Sequence, residues 1–373
     1  MISFVWEPGL PLPAGTGGSE NYTIGHVREL NRRGLAARVV TIGLGDRDGR
    51  EQFTGVPFHA IGTVEEVSAL DGTVVFVTQF PVVATKRQAY QILHVPPPLR
   101  DAERARVRVQ TRDRALIATS RFAARLWSDF LDVDVETIEV VYPFAEPCFA
   151  DQQRPVRDPT VVRVLYAGRL SPEKGIYTLL ATLHSDLVPP DDTVTFTVTR
   201  AGQDKPQGQV IAGLLEAHPR IRLVASRKTP RAMAALMSEH DIVVMPSNGQ
   251  YWHETFGIVS IEAQHAGCRV VASDDGGLPE TDCGGVVLVA PDNAEALAQG
   301  LHDVLVQGPV SPDARRRASA RFTVAASVDS LLAVLARPRA VTPADVVRQL
   351  EELVALPSMG TALFHPVPTA PVP

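Results

Sequence analysis

Thr73-Val74-Val75-Phe76-Val77-Thr78 sets four consecutive apolar residues between two threonines. A strand that is apolar on both faces is buried on both faces. That is the situation of a parallel sheet covered by helices, not of an antiparallel sheet with one face in water. The same grammar repeats outward from this run. Strands are predicted at residues 2–6, 37–42, 91–95, 115–119 and 137–141. A helix is predicted at 19–33, where Ile24, Val27 and Leu30 recur at helical spacing before Gly34. Another follows Ser120, a plausible N-cap, and runs to about Phe130.

The pattern breaks between Tyr142 and Val161, a stretch rich in proline (Pro143, Pro147, Pro155, Pro159) and charge. It reads as an interdomain linker. A second alternation then begins, with strands predicted at 161–167, 193–199, 221–224, 241–245, 269–272 and 286–289, and helices between them that include 230–238 and 257–266. Strand–helix alternation implies βαβ units and a parallel sheet, here twice over. Helical patterns follow at 294–306, roughly 313–335, and 343–356. The expected architecture is α/β, with two Rossmann-like parallel-sheet domains facing across a cleft. Residues 1–150 form the first domain, 151–160 the linker and 161–312 the second. Helices over 313–356 would pack back toward the first domain, and 357–373, with five prolines, would be a flexible tail.

Composition narrows the function. A chain of 373 residues suits two domains. A net charge of −6 argues against a general nucleic-acid binder but leaves room for a local basic pocket. Cys148, Cys268 and Cys283 are scattered without metal-ligand spacing and read as reduced thiols. The start has no basic segment ahead of an apolar run, and no stretch reaches the roughly 20 apolar residues of a membrane span. The expectation is a soluble cytoplasmic protein. Arginines at 100, 104, 108 and 112 make a helical stripe. Asp101, Glu103 and Asp113 intervene, so a solvated helix face is favoured over lipid docking.

Three segments could carry chemistry. In the first, Glu254 and Glu262 flank Phe256-Gly257-Ile258, after the predicted strand at 241–245 and at the start of a helix. Ligands of open α/β sheets bind beyond the carboxyl ends of strands. A helix start offers unpaired N–H groups to phosphate, and carboxylates suit sugar hydroxyls. In the second, Arg169 and Lys174 lie five apart in the turn after the predicted strand at 161–167, where two cations could sit over one diphosphate. The third is the glycine-rich turn Gly15-Thr16-Gly17-Gly18-Ser19-Glu20, which is neither a Walker loop nor a dinucleotide fingerprint.

Together these segments resemble the family 4 retaining glycosyltransferases, which have the GT-B fold. The resemblance rests on AGRLSPEKG at 167–175, MPS at 245–247, ETFGIVSIE at 254–262, EAQHAGCRVVAS at 262–273 and GGLPE at 276–280. It is looser in GTGGSE at 15–20, His94-Val95, and ATSRF at 118–122. The chain departs from the family's Gly-Asp-Gly-like turn, reading Thr199-Arg200-Ala201-Gly202-Gln203-Asp204.

The resemblance implies a retaining transfer of a hexose or amino-hexose from a nucleotide diphosphate sugar, with a UDP-sugar favoured, to a hydroxyl of a small acceptor. Arg169 and Lys174 would bind the diphosphate, and Glu262 the ribose. Glu254 and the N–H groups of Phe256, Gly257 and Ile258 would hold the sugar. Gly17 and Gly18 would let the first domain close onto the phosphates, and His94 would be the active-site histidine. His253 would also bind the donor, with loop packing as the alternative to sugar contact for it and for Trp252. Asp274 and Asp275 read as loop or capping acids. Glu7 and Glu20 could face a cationic acceptor. No metal or separate cofactor is expected, since the nucleotide sugar is a co-substrate and leaves as nucleotide. The composition, heavy in Ala, Arg, Val and Pro, fits a secondary-metabolite or cell-envelope acceptor. The competing readings are a nucleotide-sugar epimerase of the same fold and a non-catalytic sugar-nucleotide sensor. Oligomeric state is not legible.

Overall fold

The computed structural model describes residues 1–337 apart from 13–16, 157, 159, 190–192 and 251. The predicted helix at 343–356 and the tail at 357–373 lie outside the described residues.

Seven strands form the first sheet: β1 (Ile2–Val5), β2 (Ala37–Ile42), β3 (Phe58–Ile61), β4 (Thr73–Phe76), β5 (Ala89–Leu93), β6 (Arg114–Ala118) and β7 (Ile138–Val140). Their order is β3-β2-β1-β4-β5-β6-β7. Every pairing is parallel. The buried run that opened the sequence reading, β4, lies between β1 and β5, with Val74, Val75 and Phe76 shut from solvent. The second sheet has six parallel strands, β8 (Val162–Tyr166), β9 (Val194–Thr199), β10 (Ile221–Val224), β11 (Ile242–Met245), β12 (Arg269–Ser273) and β13 (Val286–Val289). Its order is β10-β9-β8-β11-β12-β13. In both sheets the order reverses beside the first strand of the lobe, and a crevice opens there at the carboxyl ends.

The helices are α1 (Gly18–Arg32), α2 (Asp101–Thr111), α3 (Arg121–Leu131), α4 (Pro147–Asp151), α5 (Ile176–Thr182), α6 (Pro206–Glu216), α7 (Pro230–Ser238), α8 (Ile258–His265), α9 (Ala294–Gln307), α10 (Pro312–Ser319) and α11 (Val324–Leu335). Ser120 caps α3, its hydroxyl accepting from Ala123 N–H at 2.9 Å. No helix of the described residues is long and apolar enough to cross a membrane.

Three expectations need correction. The strand β3 was not foreseen. It is a four-residue edge strand with His59 inside it and only Ile61 well buried, so neither length nor alternation marks it. The single helix expected over roughly 313–335 is two helices. Phe322 takes φ +49° between them, and Thr323 caps α11 through Ala326 N–H at 3.2 Å. The break lets the Phe322 ring meet Tyr142 and Phe256 at 5.5 and 5.4 Å. After it, Val328, Leu331 and Val334 of α11 join the core of the first sheet with Val27 and Leu30 of α1. The arginine stripe is not wholly solvated either. Arg104 lies 5.2 Å from the Phe130 ring centre and Arg108 pairs with Asp132 at 3.6 Å.

Candidate active site

The site forms where strand ends of the two lobes face each other. After β8 the chain turns through Gly168 and Arg169 and enters a 3-10 turn, Pro172–Lys174, ahead of α5. The buried Tyr166 hydroxyl sits 2.9 Å from the Arg169 carbonyl and 3.1 Å from that of Lys174, which fixes the turn from beneath. The Lys174 ammonium is paired with the Glu254 carboxylate, and the Ser247 hydroxyl donates to the same oxygen at 3.2 Å. Burial pushes the Glu254 carboxyl up, but the charge and hydrogen bond of Lys174, with Ser247 and Arg169, outweigh it and hold the group below the ordinary range. Arg169 keeps 61% of its side chain exposed and pairs with Glu173 at 3.5 Å.

Gly257 caps α8 at φ +100°, a conformation that disfavours any side chain. A Cβ there would also stand 2.5 Å from Leu278 Cδ2. Ile258 and Val259, at the start of α8, line the crevice, and the first N–H groups of a helix have no partner one turn back. Gly276 and Gly277 pack under this segment, and Gly277 N–H donates to the Glu254 carbonyl at 2.7 Å. A Cβ on either glycine would meet backbone oxygen of residues 254–255 at 2.4 Å, which explains the paired glycines of GGLPE. Across the crevice α1 begins at Gly18, whose Cβ, if present, would lie 3.9 Å from Ile258 Cγ2. Two helix N-termini thus face one another.

Between them is a cavity of about 510 Å³. Its lining brings together Gly17, Gly18, Glu20, His94, Arg169, Lys174, Glu254, Phe256, Gly257 and Ile258. Glu262 is not in that lining. It lies one turn into α8, buried, and burial together with Glu146 pushes its carboxyl up to about 8. Glu7 and His253 line a second, larger cavity of about 750 Å³. The two anticipated acceptor acids are therefore split between cavities. Glu20 folds back over Gly17 in the smaller cavity, and burial raises its carboxyl.

His94, Val95, Ser19 and Trp252 line both cavities. His94 makes an edge contact with Tyr22 at 4.9 Å, and its Nε2 is buried without a hydrogen-bond partner. Burial, helped by His26, lowers it to about 3, so the imidazole is neutral and able to accept or donate one hydrogen bond.

Several contacts of the site escaped the sequence reading because the partners are far apart in the chain. Glu280 accepts from Arg121 N–H at 2.9 Å, Phe122 N–H at 2.6 Å and Tyr142 Oη–H at 2.7 Å. Thr255 donates to the His94 carbonyl at 2.7 Å, while the Ser120 hydroxyl donates to the Thr255 carbonyl. Asp275 holds His253 Nδ1 at 2.9 Å, and the His253 ring lies 5.5 Å from Phe122.

Two Rossmann-like lobes with their strand ends and helix N-termini turned to a shared crevice define the GT-B class, the fold of one large set of glycosyltransferases. Residues 161–307, which make up the second lobe, match the family described as glycosyl transferases group 1. It is 30% identical over 250 residues to a D-inositol 3-phosphate glycosyltransferase of Jonesia denitrificans, covering 60% of this chain and 57% of that protein. It is 36% identical over 149 residues to a phosphatidyl-myo-inositol mannosyltransferase of Mycobacterium tuberculosis, covering 38% of this chain and 37% of that protein. The chain thus spans little more than half the length of the first relative and less than half of the second. A glycosyltransferase of Rickettsia africae superposes with a TM-score of 0.68 at 16% identity, over 89% of this chain and 97% of that one. An Anabaena protein, HepE, in complex with UDP and glucose superposes with a TM-score of 0.68 at 20% identity, over 90% and 99%.

Proposed function

We propose that the chain is a retaining glycosyltransferase that moves a hexose or amino-hexose from a UDP-sugar to a hydroxyl of a small-molecule acceptor. The observation that carries the reading is the convergence on one cavity of two helix N-termini, at Gly17–Gly18 and Gly257–Ile258, with Arg169, Lys174 and Glu254. Helix starts and cations of this kind suit a diphosphate, and the carboxylate suits sugar hydroxyls. UDP is favoured because the Anabaena neighbour of the same fold holds it.

In this reading Arg169 and the N–H groups of α8 take the diphosphate, with Gly17–Gly18 closing from the other lobe. Lys174 bridges Glu254 and the phosphate, so Glu254 is held ionised to accept from the sugar. Glu262, one turn deeper, takes a ribose hydroxyl. The leaving phosphate oxygen accepts the acceptor's proton on the face it leaves from, the acceptor oxygen bonds to the anomeric carbon there, and the configuration is retained. His94 hydrogen-bonds the sugar as a neutral donor or acceptor. The acceptor named in the first relative is a phosphate ester. The larger cavity here is lined by Glu7 and Glu103, and that acceptor does not suit it.

The test is thermal shift with UDP, GDP and ADP, followed by donor turnover without acceptor. Stabilisation by UDP of about 2.7 kcal/mol at 100 times its Kd, with slow release of UDP from a UDP-sugar, is expected. No response to any nucleotide or nucleotide sugar would refute the reading. The anomeric configuration of a product, read by NMR, separates retention from inversion.

A further inference from the structure

The strand β9 reads Val194-Thr195-Phe196-Thr197-Val198-Thr199, a strict alternation in a parallel sheet, where both faces are expected to be apolar. Val194, Phe196 and Val198 enter the core on one face. The threonines take the other. Register puts Arg163 of β8 beside Thr195 and Arg222 of β10 beside Thr197, so all four share that second face. Further along it, Leu165 and Val243 share one core with Leu236 and Met237 of α7. The polar part is left as a recess of about 670 Å³. Arg163, Thr195 and Arg222 are each the second residue of their strand, so the recess lies at the amino ends. The donor crevice lies at the carboxyl ends of the same sheet.

Charge in the recess is positive. Among the described residues, three arginines and one carboxylate line it: Arg163, Arg220, Arg222 and Glu239. Arg220 is committed. It donates to the Leu183 carbonyl at 3.3 Å and to the Pro189 carbonyl, and its guanidinium lies 5.5 Å from the Phe196 ring centre. Arg163 is placed differently, with its Nη1 shut from solvent and no hydrogen-bond partner. The carboxylates near it are engaged elsewhere. Asp241 pairs with Arg154 at 2.7 Å and takes the Arg163 backbone N–H at 3.0 Å, while Asp158 accepts from the Thr160 N–H and hydroxyl at 2.9 and 2.6 Å. A buried guanidinium N–H is normally paired, so this one calls for an acceptor that the described residues do not supply. Two strand spacings and a two-residue offset set the Arg163 and Arg222 Cα atoms about 12 Å apart, so two extended arginine side chains can meet over the threonine row.

We propose that this recess is an anion site, which takes the phosphate group of a small molecule between Arg163 and Arg222 and over the hydroxyls of Thr195 and Thr197. Guanidinium forks match phosphate oxygens in pairs, and threonine hydroxyls donate to the oxygens that remain. Three arginines against one carboxylate leave the lining with the sign an anion needs. The site shares no lining residue with the donor cavity and does not rest on the transferase reading.

The full chain is titrated by calorimetry, at constant ionic strength, with inorganic phosphate, pyrophosphate and glucose 6-phosphate. The Arg169→Gln chain serves as background, because it weakens the diphosphate contact proposed for the donor crevice. At least one probe should bind, and adding Arg163→Gln with Arg222→Gln should weaken it about 10-fold or more through the loss of two charge-assisted contacts. Arg222 is exposed, so Arg222→Gln alone tests the site without disturbing the core and should weaken the same probe about 3-fold or more. Tighter binding of the inorganic probes points to free phosphate as the ligand, and tighter binding of the ester to a phosphorylated metabolite; either supports the site. No binding of any probe, or equal binding after both substitutions, would overturn the proposal. UDP affinity should stay within about 2-fold of the parent in the Arg163→Gln, Arg222→Gln chain, and a parallel loss of UDP affinity would overturn the separation of the two sites. If the probes respond as expected while UDP does not bind the parent, the anion site stands and the transferase reading falls.

Discussion

Replacing Lys174 with alanine separates two roles of one side chain, the ion pair with Glu254 that the structure shows and the diphosphate contact proposed above. Its ammonium faces the Glu254 carboxylate in a site where the two side chains keep only 17% and 15% of their exposure. Breaking a buried pair by removing one partner costs about 3–5 kcal/mol, because the other charge is stranded. The residual exposure and the Ser247 hydrogen bond reduce that here, so a loss of about 2–3 kcal/mol is expected, or about 3–4 °C in Tm for a chain of this size. The lost contact to the donor diphosphate, a charge-assisted bond worth about 1.5–3 kcal/mol, should lower kcat/KM by about 10- to 100-fold.

The pH dependence tests the cause. In the parent, the folded Glu254 carboxyl lies below its unfolded value, so its stabilisation is present above that value and is lost as pH falls through the folded one. Without Lys174, only the Ser247 hydrogen bond and the Arg169 charge oppose burial, and the folded value rises above the unfolded one. The group then favours folding at low pH, and stability declines as pH rises between the two. The Tm deficit of the variant should therefore widen from pH 5.5 to pH 8, and Glu254→Gln in the same background should restore Tm without restoring turnover. A deficit that is flat with pH and not repaired by Glu254→Gln would refute the stranded-carboxylate argument. An unchanged kcat/KM would remove Lys174 from the diphosphate site.

Other variants probe the second glutamate and the seam. Glu262 is buried and raised to about 8, so the folded state keeps its proton where the unfolded chain has lost it, and stability falls as pH rises from about 4.5 to 8. Glu262→Gln should flatten that slope in thermal melts, while calorimetry should show weaker binding of UDP itself as well as of the UDP-sugar. Loss of affinity for the sugar part alone would contradict the ribose assignment. Glu280→Ala strands three donors at the junction of the lobes and should cost about 1–3 kcal/mol, whereas Tyr142→Phe removes one of the three and should cost less. Equal losses in the two variants would mean that the helix-terminus contacts of Glu280 contribute nothing.

Much of this fold was legible because strand burial and helix period are local. The bounds 221–224, 230–238 and 286–289 agree residue for residue with β10, α7 and β13. Placement of the Glu254 loop and of Gly257 at a helix start follows from the same local reasoning. What escaped was non-local or weakly patterned. An edge strand such as Phe58–Ile61 buries too little to impose alternation. The Phe322 turn is fixed by rings more than 60 residues away in sequence, and its own neighbours gave a continuous helical pattern. Glu280 looks like an ordinary loop acid until α3 is folded against it. The raised carboxyl of Glu262 likewise owes part of its shift, after burial, to the charge of Glu146, which belongs to the proline-rich crossing between lobes.

Thr255 shows why those cross-lobe contacts matter to the chemistry. It sits between Glu254 and Phe256, the segment assigned to the sugar, and its side chain donates to the His94 carbonyl. Its carbonyl in turn accepts from Ser120, the cap of α3. One residue therefore ties the donor loop of one lobe to the His94 rim and the α3 helix of the other, where the two cavities meet. Both bonds would break together if the lobes separated, so the proposed sugar loop, His94 and the cap of α3 hold their register through these two contacts.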